Sequence, residues 1–253
     1  NKEKSTSRTL NLVRSEAKDE ASVALAIGIQ NYTFMGDVPG CRNDVKDIAS
    51  KLQEVRHLPE SNVVTLTGEK VGAFRPTYSV TRKRIQWLAD SAEEDGLAFF
   101  YFSGHGVSKK GELHLVPQDG DEDNAIPLKY VLNQLKQSEA THKVAVIDTC
   151  RAAAEKGVSG IVPSLDVPQD TAVFLSCGDN EKSYPVENGN QSVFTRAFLR
   201  AMDKTADQAE GPVSAADLQK RISRRMQKWR NRTGKTQTPQ LIPEGASVVF
   251  LGE

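Results

Sequence analysis

The chain has 253 residues, 38% of them hydrophobic and 26% charged, as expected of a soluble globular protein able to bury a sizeable core in one large α/β domain or two smaller ones. Its 33 Lys and Arg balance 33 Asp and Glu, so overall charge recommends neither a nucleic-acid nor a membrane partner. No apolar run approaches the roughly 20 residues that span a bilayer, and the start lacks the basic-then-apolar pattern of a secretory signal. Cys41, Cys150 and Cys177 stand at no metal-like spacing and read as free thiols in a reducing, cytoplasmic compartment.

Residues 1–21, "NKEKSTSRTLNLVRSEAKDEA", are mostly polar and read as a flexible N-terminal arm or linker, with the domain proper over residues 22–253. A start at Asn1 reads as a piece of a longer protein, with any targeting segment or regulatory partner site upstream. Short apolar runs then recur: "SVALAIGI", "NVVTLTG", "LAFFYFSG", "ELHLV", "KVAVIDTC", "TAVFLSCG" and "SVVFLG". With little alternation, they suit strands buried on both faces of a sheet. Between them, Asn43 or Asp44 is expected to cap a helix burying Val45, Ile48, Ala49, Leu52 and Val55, and Thr81 a helix burying Ile85, Leu88, Ala89 and Ala92. Further helices are expected over about 128–137, 192–204 and 214–230, the last with Leu218, Ile222, Met226 and Trp229 inward. The alternation predicts an α/β fold, a mostly parallel sheet sandwiched between helices.

Functional residues in such a sheet gather at the carboxyl ends of strands. Here "FFYFSGHG" ends in His105 and "VAVIDTC" in Cys150. If the two strands are neighbours, thiol and imidazole emerge at one rim as a nucleophile and its base. A free thiol is a few per cent ionised at neutral pH, and a nearby imidazole both stabilises the thiolate and later protonates a leaving amine. The backbone N–H groups of Gly106 and Cys150 are candidate oxyanion donors, one such bond being worth roughly 3 kcal/mol. Cys41 and Cys177, without such a partner motif, read as small core residues.

The motifs "YFSGHG" and "VIDTCR", in that order, resemble the histidine and cysteine motifs of the caspase-like cysteine peptidases, which include caspases, metacaspases, paracaspases and bacterial counterparts. "GCRNDVKDIASKL", "FLSCGDNEKSYP" and "GNQSVFTRAFLRAM" extend the resemblance from about residue 22 to the end, closest to the metacaspases. It implies a caspase-hemoglobinase fold with about six central strands, His105 as general base and acid, Cys150 as nucleophile, and a protein or peptide substrate. It departs after the cysteine, where "DTCRAAA" lacks the glycine-rich sequel common in metacaspases. Caspases that cut after aspartate carry an arginine where this chain has Val38, whereas metacaspases that cut after Arg or Lys carry carboxylates. The resemblance thus places Asp44, Asp148 and Asp179, with Ser103, in the pocket for the residue before the scissile bond. A rival class, a catalytically silent interaction module of the same architecture, would be marked by loss of His105 or Cys150; both are present.

Two other features have plainer readings. The basic run "QKRISRRMQKWRNRTGK", residues 219–235, has its apolar residues at helical spacing and reads as a solvated helix face, not a nucleic-acid site. The turn "PQDGDEDNA", residues 117–125, offers Asp119, Asp121, Glu122 and Asp123 but misses the calcium-loop spacing, so no metal or cofactor is expected; calcium activation is implied only by likeness to some metacaspases. The segment "RAAAEKGVSGIVPSLDVPQD", residues 151–170, with Arg151 and Lys156, reads as an active-site loop open to processing.

Overall fold

Period-2 side-chain alternation in strands apolar on both faces dictates a sheet covered on both sides, and the computed structural model has that form. It describes residues 18–69, 71–150, 165–168, 170–203, 212–246 and 248–251. Residues 1–17 of the expected arm, and most of the 151–170 segment with Arg151 and Lys156, lie outside the described residues. The elements in chain order are β1 (Val23–Gly28), α1 (Cys41–Arg56), β2 (Val63–Thr67), α2 (Tyr78–Ser91), β3 (Leu97–Ser103), β4 (Gly106–Lys109), β5 (Glu112–Leu115), β6 (Ile126–Pro127), α3 (Leu128–Gln137), β7 (His142–Asp148), β8 (Thr171–Leu175), α4 (Val193–Ala201), β9 (Val213–Ser214), α5 (Ala215–Thr233), β10 (Gln240–Ile242) and β11 (Val249–Leu251).

Six strands form the central sheet in the order β10-β8-β7-β3-β1-β2, all parallel except the edge strand β10, which runs antiparallel to β8. Ala24, Ala26, Phe99, Tyr101, Val144, Val146, Ala172 and Phe174 face α1, α4 and α5. The alternate residues, among them Leu25, Ile27, Phe100, Phe102, Ala145 and Ile147, face α2 and α3. Burying such side chains on both faces, at roughly 25 cal/mol per Å², is the main force holding the three layers together.

Several expectations are corrected. "ELHLV" is not a central strand but β5, paired antiparallel with β4 and β6 in a small separate sheet; its half-exposed Glu112 and His114 do not suit a doubly covered position. "SVVFLG" supplies β11 of a two-stranded ribbon with β9. The sixth central strand, β10, was hidden because it is short and flanked by Pro239 and Pro243. Asn43 and Asp44 lie inside the first turn of α1, because Gly40, at φ 94°, turns the chain and its carbonyl already accepts the Asp44 amide. Helix α2 starts earlier than expected, capped by Thr77 Oγ1 accepting the Val80 amide, with Thr81 buried within it. At the end of the expected arm, the Asp19 carboxylate pairs with Arg56 and accepts from the Ser22 amide and hydroxyl.

Candidate active site

Strand register builds the site. Ser103 of β3 stands level with Gly28 of β1 and with Asp148 of β7. Two residues beyond that row, His105 and Cys150 leave the same carboxyl edge and line one cleft of about 240 Å³, together with Asp44, Asp148, Ser183, Tyr184 and Ser192. Glycines flank His105 because side chains do not fit. A Cβ on Gly104 would meet Tyr32 Oη at 2.3 Å, and one on Gly106 would meet Thr149 Oγ1 at 2.7 Å. Tyr32 in turn accepts the His105 amide at 2.7 Å and packs its ring 4.7 Å from the imidazole.

His105 Nε2 lies 2.7 Å from the Gly36 carbonyl. A carbonyl only accepts, so Nε2 carries the proton and Nδ1 of the neutral ring keeps its lone pair. Cys150 is half-buried, and its Sγ donates to the Ser183 carbonyl at 3.7 Å instead of to the imidazole. Burial, with Asp148 nearby, pushes this thiol above its ordinary pKa, opposite in direction to the lowering that a nearby imidazole would give. The Val116 amide donates to the His105 carbonyl, which leaves the opposed Gly106–Leu115 pair without ladder bonds of its own, so the Gly106 N–H points away from β5.

Beside His105 and Cys150 lies a carboxylate floor. Asp44 is 1% exposed and Asp148 4%. Asp44 accepts the Ser103 hydroxyl at 3.1 Å and the Ser192 amide at 2.9 Å. Asp148 accepts the Ser183 hydroxyl at 2.6 Å and the Thr195 hydroxyl at 2.7 Å. With its proton committed to Asp148, Thr195 accepts from Tyr101 at 2.6 Å. Burial, then the charge of Asp148, holds the Asp44 carboxyl well above the usual range. Asp44 reaches this floor because Gly28 lets α1 descend onto β1: a Cβ there would meet Cys41 O at 2.3 Å and Val45 Cγ2 at 2.6 Å.

Residues 21–248 match the model of the caspase domain. The chain belongs to the caspase-domain family. It is similar to Metacaspase-1A of Aspergillus oryzae, 35% identical over 102 residues (40% of this chain, 23% of the relative). Metacaspase-1 of Mycosarcoma maydis is 25% identical over 231 residues (90% of this chain, 54% of the relative), and Metacaspase-1 of Eremothecium gossypii is 25% identical over 170 residues (62% and 37%). The chain thus spans between about a quarter and about half the length of these curated relatives.

Not every candidate belongs to the cleft of this caspase domain. Asp179 does not line it. Its turn is drawn toward Thr238, whose amide and hydroxyl donate to Glu181, while Glu181 also accepts the Gly178 amide. The sequence reading missed Tyr32, Gly36, Ser183, Ser192, Thr195 and Gln237. Gln237, fully buried, donates to the Ser176 carbonyl and the Ser183 hydroxyl and accepts the Tyr184 amide. Only Ser192 carried a readable signal, as the residue capping α4. In the acidic turn, Asp119 accepts the Tyr78 amide and Asp121 the Asp123 and Asn124 amides. Among the described residues no group of His, Cys, Asp and Glu is placed to hold a metal ion, and no helix is long and apolar enough to cross a membrane.

Proposed function

We propose that the chain is a cysteine endopeptidase that cuts proteins after Arg or Lys, with His105 and Cys150 as its dyad, acting in a reducing, cytoplasmic setting where its three thiols stay free. The observation that carries the reading is the convergence of imidazole, thiol and two buried carboxylates on one cleft. Cys150 swings from the Ser183 carbonyl toward His105, whose Nδ1 takes the thiol proton as sulfur attacks the scissile carbonyl carbon. The oxyanion of the tetrahedral intermediate is held by the Gly106 and Cys150 N–H groups. Collapse breaks the C–N bond, the imidazolium returns its proton to the departing amine, and a thioester remains. Water, deprotonated by His105, then releases the acid and regenerates the thiol. No cofactor enters these steps.

Specificity follows from charge. Asp44 and Asp148, within a largely buried cavity, attract a guanidinium or ammonium and repel an aspartate side chain. Val38, which also lines the cleft, offers no cation to an acidic substrate. A fluorogenic peptide panel varying the residue before the scissile bond tests this directly. Cleavage is expected after Arg and Lys, with kcat/KM falling roughly 10³-fold or more in Cys150→Ala and in His105→Ala. Undiminished turnover in either variant overturns the dyad, and cleavage confined to aspartate overturns the pocket.

A further inference from the structure

The basic run of α5 is more than a solvated face. Arg225, Lys228 and Arg232 of α5, and Arg196 and Arg200 of α4, rim a groove floored by Val193, Ala197, Met226 and Trp229. Its continuation, about 510 Å³ in volume, shares Arg196, Trp229 and Arg232 and is closed by Val186, Glu187 and Asn188. Like charges one helical turn apart repel by a few tenths of a kcal/mol per pair, so neither helix gains from this arrangement alone. Several cations elsewhere are paired: Lys51 with Glu54 and Asp203, Arg56 with Asp19, Lys143 with Asp170, Lys220 with Asp217. Among the described residues no carboxylate forms an ion pair with Arg196, Arg200, Arg225, Lys228 or Arg232, and Glu187 is the one acid in the lining.

Consecutive residues wall the cleft and the groove. Ser183, Tyr184 and Pro185 wall the cleft, and the next residues, Val186, Glu187 and Asn188, wall the groove. The Tyr184 ring packs 5.6 Å from Trp229, and Lys235 Nζ lies 4.9 Å from the Tyr184 ring, carrying positive charge toward the cleft. An extended chain advances roughly 3.3 Å per residue, so each further residue of a bound peptide reaches that much farther from the scissile bond.

We propose that this groove is an exosite for an acidic stretch of the substrate lying several residues from the scissile bond. The proposal rests on the reading of the cleft as a peptidase site. A peptide is favoured over nucleic acid because Trp229 is 9% exposed and packed under Tyr184, which leaves it no open face for base stacking.

The test has separate arms for groove and cleft. A fluorescein-labelled hexaglutamate peptide lacking Arg and Lys is titrated into the wild type at low salt and followed by anisotropy. Saturable binding is expected, weakened at least tenfold by Arg196→Glu with Arg232→Glu and weakened by added NaCl; hexaglutamine does not bind. An arginyl substrate extended with glutamates shows a lower KM than the unextended one. The double variant erases that advantage while leaving turnover of the short substrate unchanged. A second pair, Arg200→Glu with Lys228→Glu, repeats the loss, and unfolding midpoints identify which pair is folded and carries the result. Absence of hexaglutamate binding to the wild type, undiminished binding in a folded variant pair, or tenfold tighter binding of a single-stranded oligonucleotide of equal charge overturns the exosite. Failure of the wild type to cleave the short arginyl substrate overturns the peptidase reading instead, and hexaglutamate binding is read independently of it.

Discussion

At Asp44, recognition and folding make opposite demands on one carboxylate. On the proposed function its charge meets a cation when substrate is bound; when the cleft is empty, the carboxyl is buried beside Asp148 and holds its proton well above the usual range. A folded-state pKa above the unfolded value means that the native state binds the extra proton. The resulting stability is present at low pH and lost as pH rises through the folded value. Asp44→Asn keeps the shape and leaves an oxygen to accept the Ser192 amide, but removes the charge. The variant is expected to be more stable than wild type at pH 8, by about 1–2 kcal/mol, with the difference closing toward pH 4. The same variant should lose at least tenfold in kcat/KM on arginyl substrates. Thermal unfolding of both proteins across that pH range checks the first statement and the peptide panel the second; a variant less stable at pH 8 contradicts the linkage. The meeting of His105 and Cys150 in one cleft was legible because reactive side chains at strand ends carry a pattern. The residues that hold the site were not: the partner of His105 lies 69 residues away and that of Asp44 lies 148 away.

Elements were legible where a single period dominated. The strands β1, β3, β7 and β8 are apolar on both faces, and α3 and α5 fall close to their expected spans. Helix starts were misread because a side chain able to cap is also able to serve elsewhere. Asp44 faces the cleft, and Thr81 is buried in α2. Arg221 shows the same limit on α5, where a cation in the basic run is buried and donates to the Ala201 carbonyl at the end of α4. The contact between β1 and α1 is the most sensitive join. Gly28→Ala places a methyl group 2.3 Å from the Cys41 carbonyl oxygen, and backbone there has little room to retreat. The expected cost is about 3 kcal/mol, a fall of roughly 6–12 °C in Tm by calorimetry. Because α1 must lift, Asp44 withdraws from Ser103, and KM for arginyl peptides should rise more than kcat falls. An unchanged Tm contradicts this account of the glycine.

Across the whole molecule, the layered α/β architecture and its parallel core were readable from the alternation of strands and helices, whereas the antiparallel edge β10 and the β9–β11 ribbon depend on pairings between distant segments that no local pattern announces. The same long-range pairing has a consequence for chain continuity. Strand β7 and Cys150 precede the 151–164 segment, and β8, α4 and α5 follow it, yet the cleft carboxylates on one side are held by Ser183, Ser192 and Thr195 from the other. The β7–β8 ladder and the packing of α1 against α4 bridge the same divide. Once folded, the molecule is therefore expected to hold together without that peptide link. If a site for a sequence-specific protease is placed between residues 151 and 164 and cut after folding, the two pieces are expected to elute together in size-exclusion chromatography and to part only in denaturant, a severed chain behaving as one body.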